Sequence, residues 1–147
     1  MPHNSWTWVL EKSVASVTDN AHELIEELMS ALDRMGWGGR DRFHIHMAVE
    51  EAIVNAIEHG NQREPEKKVD VVFKLSPEKA WIKISDQGKG FDFKHLPDPT
   101  DEEHLEVPHG RGVMLMRELM SDVRYNKRGN AVEMFKLRSV EEQTPEE

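Results

Sequence analysis

The stretch from residue 47 to 60, Met-Ala-Val-Glu-Glu-Ala-Ile-Val-Asn-Ala-Ile-Glu-His-Gly, most limits what this chain can fold into. It is rich in Ala and free of Gly and Pro until Gly60, so it predicts a helix that ends there. Glu51, Asn55 and either Glu58 or His59 recur at helical spacing and share one face. Glu51 and Asn55 then stand about 6 Å apart along the axis. Ala48, Val49, Ala52, Ile53, Ala56 and Ile57 flank that line and are residues that pack. An acid and an amide are thus set beside an apolar stripe. Asn is a poor helix former, and its amide needs partners wherever water is excluded. The pair is either a solvated surface feature or part of a built site.

The elements around this helix define a fold class. Trp6 to Ser16 is rich in aromatic and β-branched residues and reads as a strand. Thr18 and Asp19 are candidate caps for a helix from about Asn20 to Met35, with Ala21, Leu24, Ile25, Leu28, Met29 and Leu32 on its apolar face. Gly36, Gly38 and Gly39 stop it, and Asp41 is a candidate cap for the helix running to about His59. Asn61 to Lys68 is a polar linker. Val69 to Leu75 and Ala80 to Ser85 form a hairpin about Ser76-Pro77-Glu78-Lys79. Residues 92 to 109 hold three prolines and an acid run, an irregular length that is usually functional inside a compact domain. Gly110-Arg111-Gly112 opens a helix to about Met120. Val123 to Asn126 and Ala131 to Leu137 make the last hairpin. This order predicts an α+β, two-layer sandwich: one mostly antiparallel mixed sheet with helices on one face. Residues 1 to 138 form one domain, and 139 to 147 read as a disordered acidic tail.

Composition removes several function classes. A chain of 147 residues favours one domain that buries roughly two-thirds of its unfolded surface. No apolar run approaches the ~20 residues of a membrane span, and the N-terminus lacks the order of a signal peptide. The absence of cysteine removes disulfides and thiol chemistry, and a cytoplasmic location is expected. Acidic residues outnumber basic ones 28 to 19, for a net charge of −9, so phosphate-driven binding to nucleic acid is not expected and a protein partner with cationic surface fits better. His44, His46, His59, His104 and His109 make no metal-binding pattern.

Two glycine motifs complete the chemistry. Asp86-x-Gly88-x-Gly90 follows a strand directly. An ionised Asp accepts hydrogen bonds and cannot donate them, so its fitting ligand is an amino group such as that of adenine. The glycines let backbone approach a flat ligand closely; the alternative is an ordinary glycine-rich turn. Gly110-x-Gly112 precedes a helix, where free amides and the helix dipole favour phosphate; the alternative is a hinge. His109 and Arg111 add positive charge there or are simply exposed.

In combination these motifs resemble the GHKL superfamily, the histidine-kinase-like ATPases with the Bergerat fold. Glu51-Ala-Ile-Val-Asn55-Ala-Ile-Glu-His59-Gly60 is similar to its N box, Asp86-Gln-Gly88-Lys-Gly90-Phe91-Asp92 to its first glycine box, and Gly110-Arg-Gly112-Val113 to Asp122-Val123 to its second. The compact size, Asn-Ala-x-x-His-Gly and Leu-Met-x-Asp-Val resemble the anti-sigma factor serine/threonine kinases, over about residues 6 to 138.

The resemblance implies ATP and Mg²⁺ as cofactors. Asn55 would hold the metal, and Glu51 would be the general base on a substrate hydroxyl. Asp86 would read the adenine amine. His59, Gly88, Gly90, Phe91, His109, Gly110, Arg111, Gly112 and Val113 would line the nucleotide, and residues 93 to 109 would be its lid. Implied partners are a sigma factor and an anti-anti-sigma protein of the STAS type, and the resemblance also implies a tendency to homodimerise. No arginine that grips sigma is identifiable, and Trp6, Trp8 and Trp37 have no family counterpart. A nucleotide-gated binding module without kinase activity is the competing reading.

Overall fold

The computed structural model describes residues 6–88 and 108–139, of which 108–111 are described by backbone alone. Gly90, Phe91, residues 93–107 of the expected lid and the tail from residue 140 lie outside the described residues. The elements are β1 (Trp8–Ala15), α1 (Thr18–Arg34), α2 (Gly39–Val54) continued by a π-helical turn (Asn55–Gly60), β2 (Lys68–Leu75), β3 (Lys79–Ser85), α3 (Pro108–Leu119), β4 (Asp122–Tyr125) and β5 (Ala131–Leu137). The strands form one sheet in the order β1-β2-β3-β5-β4.

Alternating apolar residues explain the layering, because successive side chains of a strand point to opposite faces. Val69, Val71, Phe73 and Leu75 of β2 are buried, as are Ala80, Ile82 and Ile84 of β3 and Val132 and Met134 of β5. Register brings Phe73, Ile82 and Met134 abreast. They meet Leu24, Leu28 and Leu32 of α1, Ile45, Val49 and Ile53 of α2, and Val113 and Met116 of α3 in one core. The other face carries Lys74, Trp81, Lys83, Glu133 and Phe135, none of them buried; Lys74 Nζ lies 5.2 Å from the centroid of the Trp81 ring. The α+β two-layer architecture with helices on one face is therefore as expected. The sheet is wholly antiparallel among the described residues rather than mixed. β3 and β4 do run parallel, as a βαβ connection through α3 requires, but β5 is inserted between them.

Local chemistry departs from expectation at both starts of helices. Val17, not Thr18 or Asp19, is the N-cap of α1, and it makes no side-chain cap. Asn20 Nδ2 instead donates to Ala15 O at 2.9 Å, closing the turn off β1. Gly38, not Asp41, precedes α2. Asp41 is buried in the first turn, where its Oδ2 accepts from Ser139 N at 2.6 Å and its Oδ1 lies 3.8 Å from Lys136 Nζ. Lys136 also donates to Leu119 O at 2.6 Å, so one buried ammonium ties α2, α3 and β5 together. Burial against β5 gave Asp41 a distant partner in preference to a local amide. Ser139, expected in the loose tail, is anchored by the same contact.

Trp37 is buried, with Nε1 donating to Ser76 O at 3.0 Å and the Arg138 guanidinium 5.5 Å from its ring centroid. It therefore closes the end of the core where α1 meets the β2–β3 turn. Phe73 is fully buried at the centre of the sheet. Phe73→Ala is expected to lower the unfolding free energy by about 3–5 kcal/mol, measured by urea denaturation, with the far-ultraviolet spectrum of the folded protein retained.

Candidate functional site

The helix that opened the sequence argument does not stay α-helical to its end. From Asn55 to Gly60 it widens into a π-helical turn, in which Asn61 N donates to Ala56 O at 2.8 Å, five residues back. Such turns are uncommon and gather at functional sites. The two residues that follow the exit, Gln62 and Arg63, both have positive φ, 53° and 59°, a conformation that costs non-glycine residues free energy. The widened turn settles which side chain continues the Glu51–Asn55 line. His59 faces a cavity, while Glu58 pairs with Arg63 at 3.2 Å.

That cavity has a volume of about 330 Å³. Its apolar wall is Ala52, Ala56, Ile84 and Val132, and its polar groups include Asn55, His59 and Asp86, with Lys67 and Arg128 on its cationic side. The helix end and the strand end that build it are in contact. A Cβ placed on Gly60 would overlap the Asp86 carboxylate, and one on Gly88 would overlap Gly60 O. Only glycine permits these approaches.

Asp86 is held at the end of β3. Its N donates to Asn130 O at 2.9 Å, and its O accepts from Asn130 Nδ2 at 2.8 Å. Oδ1 accepts from Gly88 N at 2.7 Å. Burial pushes the Asp86 carboxyl above its ordinary value, against the lowering effect of the Gly88 hydrogen bond and of Arg128 and Lys67. The second oxygen is thus an acceptor in a partly dry, apolar-walled pocket, which suits a ligand amino group.

Asn55 lines the cavity, while Glu51 and Gly112 do not; the three meet beside it, where Glu51 and Asn55 converge on α3. A Cβ on Gly112 would overlap Glu51 Oε2 and stand 2.9 Å from Asn55 Nδ2. An acid, an amide and a glycine backbone therefore meet at one point. The donor chemistry fits Mg²⁺, a hard ion that takes one or two protein oxygens and keeps several waters. α3 begins at Pro108, two residues before the expected start, because Pro suits the first helical position. The amides without intrahelical partners then lie ahead of Gly112, whose place at the site is a matter of space. The backbones of His109, Gly110 and Arg111 lie in that first turn. Val113 is a correction: its side chain is buried in the hydrophobic core and does not face the cavity.

Tyr125 and Asn130 are among the lining residues that escaped the sequence reading. Tyr125, on β4, lies in the cavity wall. Burial pushes its phenol far above the usual value, against the lowering effect of Arg117, and Glu51 and Asp86 raise it further, so it stays protonated. Asn130 sits in the β4–β5 turn. Only the hairpin was legible there.

A two-layer α+β domain with a partly buried carboxylate in a pocket where a helix end meets a strand end, and a carboxylate–amide pair beside it against α3, has the form of a nucleotide-binding domain. Residues 14–136 match the histidine kinase-like ATPase domain. The serine-protein kinase RsbW of Staphylococcus epidermidis is 30% identical over 117 residues, 74% of each chain. That of Oceanobacillus iheyensis is 28% identical over 122 residues, covering 79% of this chain and 77% of the relative. That of Bacillus subtilis strain 168 is 29% identical over 118 residues, covering 74% and 72%. The crystal structure of the RsbU and RsbW domains of a Mycobacterium tuberculosis protein superposes with a TM-score of 0.61 at 18% identity, over 89% of this chain and 32% of that one. This chain thus spans about a third of that protein's length and shares its fold. The chain belongs to the histidine kinase-like ATPase family and, within it, to the RsbW group of anti-sigma factor serine kinases.

The raised Asp86 carboxyl gives a pH prediction. With Asp86 read as the acceptor of a ligand amine, the ionised carboxylate is the stronger acceptor, so its contribution to ATP binding would be full above its folded-state pKa and would weaken as pH falls through it. Because burial raises that value, calorimetric titrations should show ATP affinity falling at a higher pH than an ordinary carboxylate would cause. Asp86→Asn, already weak at neutral pH, should lack this step.

Proposed function

We propose that the protein is an ATP-dependent serine/threonine protein kinase of the anti-sigma type, acting in a partner switch. It phosphorylates a small regulatory protein and binds a sigma factor or similar regulator according to that protein's state. The observation that carries this reading is that Asn55, which lines one cavity with His59 and Asp86, also meets Glu51 and Gly112 just beyond that lining. The names of the relatives support it.

In this reading ATP enters base first. Asp86 accepts from the adenine amine, the apolar wall of Ala52, Ala56, Ile84 and Val132 covers the ring, and His59 lies beside it. Gly88 adjoins the base and sugar. The triphosphate then points toward the start of α3, where backbone amides up to Gly110 and the helix dipole receive it. Asn55 would hold Mg²⁺, which neutralises phosphate charge when bound. Glu51 orients the hydroxyl of the substrate Ser or Thr and takes its proton as the hydroxyl oxygen bonds to the γ-phosphorus. The bond to the β-phosphate oxygen breaks and ADP leaves. Positioning dominates such transfers, so a side chain held one helical turn from the metal ligand is well placed.

No described helix is long and apolar enough to cross a membrane. A protein that regulates sigma works in the cytoplasm without touching nucleic acid itself, as its acidic charge favours. A second copy of the chain is a further partner.

Two variants test the chemistry. Glu51→Gln should slow phosphoryl transfer to the partner by about 10²- to 10⁴-fold while ATP affinity measured by calorimetry stays within about threefold. Unchanged transfer would remove Glu51 as the base, and absent phosphorylation of every partner by the wild type would leave only a nucleotide-gated binding module. Gly112→Ala lies in a helix and displaces only side-chain ends, so its melting temperature should hold. Phosphoryl transfer should nevertheless fall at least about tenfold, read with labelled ATP.

A further inference from the structure

Asn61, expected in a polar linker, is fully buried. Its Nδ2 donates to Ser16 Oγ at 2.8 Å and to Lys68 O at 3.0 Å, and its Oδ1 accepts from Gln87 N at 2.7 Å. Ser16 Oγ in turn donates to Lys67 O at 2.7 Å. One amide thereby ties the end of the π-helical turn to the end of β1, the start of β2 and the peptide that follows Asp86. Gln87 is held a second time, its Oε1 accepting from Lys68 N at 2.6 Å.

On the opposite flank Asn130 takes both backbone groups of Asp86. Asn130 is itself fixed by Asn126, whose Nδ2 donates to Asn130 Oδ1 at 2.8 Å and whose Oδ1 accepts from Gly129 N at 2.8 Å and Asn130 N at 3.0 Å. Asp86 therefore stands between two side-chain amides, Asn61 outside the cavity lining and Asn130 in its wall. The Gly60 backbone closes the third side. A carboxylate that is to accept from one ligand amine must be placed within a few tenths of an ångström, since hydrogen bonds weaken steeply with distance and angle.

We propose that Asn61 and Asn130 are positioning residues that clamp the Asp86–Gln87 segment from opposite sides and so set the pocket's selectivity for a purine bearing a 6-amino group. This rests on the reading of Asp86 as the amine acceptor. The clamp acts on the base end only; Glu51, Asn55 and Gly112 make no contact with either amide in the network above. Loss of one side lets the carboxylate swing away and be solvated, and the amine then gains no more from the protein than from water.

The test compares binding of ATP with binding of purine riboside 5′-triphosphate, which differs only in lacking the 6-amino group. Wild type, Asp86→Ala, Asn61→Ala and Asn130→Ala are titrated calorimetrically with each, and their melting temperatures recorded. Wild type should prefer ATP by about 10- to 100-fold, the worth of one hydrogen bond to a charged group. Asp86→Ala should abolish the preference. Each clamp variant should bring it to within about threefold of unity, by losing ATP affinity more than affinity for the analogue. Should Asn61→Ala not fold, Asn130→Ala in the surface turn carries the test. A wild type with no preference would overturn the reading of Asp86 itself. A wild-type preference retained in the folded variants, or an equal loss for both nucleotides, would overturn the clamp.

Discussion

The approach of Gly60 to the Asp86 carboxylate is the contact on which the rest of the site depends. It brings the end of a helix against the end of a central strand with no side chain between them. Once they meet there, Asn55, His59 and Asp86 border one cavity instead of two surfaces, and Glu51 stands one helical turn before Asn55, outside the lining. The widened turn at Asn55–Gly60 delivers the helix to that point, and the strained pair Gln62 and Arg63 turns the chain away from it.

The helix carrying Glu51 and Asn55 is anchored at both ends by buried polar groups. At its start, Asp41 meets Lys136 and the backbone of Ser139. Just past its end, Asn61 meets β1, β2 and the segment after β3. Between these anchors the packing is apolar, with Ile45, Val49 and Ile53 fully buried. Buried polar networks cost free energy unless every member is satisfied, but when satisfied they select one arrangement. In the proposed function this helix presents two side chains to a phosphoryl group, and it would benefit from that selection more than from the added stability. The same trade appears at Asp86, where burial opposes ionisation and yet makes its remaining acceptor valuable to a ligand.

Much of this was legible in the sequence because it rests on local periodicity. Alternation in β2, β3 and β5 and the three-four pattern of α1 each report a face turned to a core, and the strands and helices lie within three residues of where the patterns place them. Asn55, His59, Asp86 and Gly88 do border one cavity. What was illegible depends on distant partners. Asp41 looks like a helix cap because nothing near it announces Ser139, 98 residues away. Asn61 looks like linker because its partners lie 45, 7 and 26 residues off. The π-helical turn was read as α-helix, since one extra residue in a helical turn leaves the apolar stripe almost unchanged. Val113 follows a glycine motif and invites a ligand role, but the helix starts earlier than the motif does and turns it to the core.

The central claim is spatial: one cavity holds the base at Asp86 and the reacting phosphate at Glu51. A crystal structure with a non-hydrolysable ATP analogue and Mg²⁺ tests it most directly. The account predicts the adenine amine within hydrogen-bond distance of Asp86, the metal bound by the Asn55 side chain, and the Glu51 carboxylate on the γ-phosphate side of that metal. An analogue seated elsewhere, or seated with its phosphates at Asp86 and its base at Asn55, would contradict it.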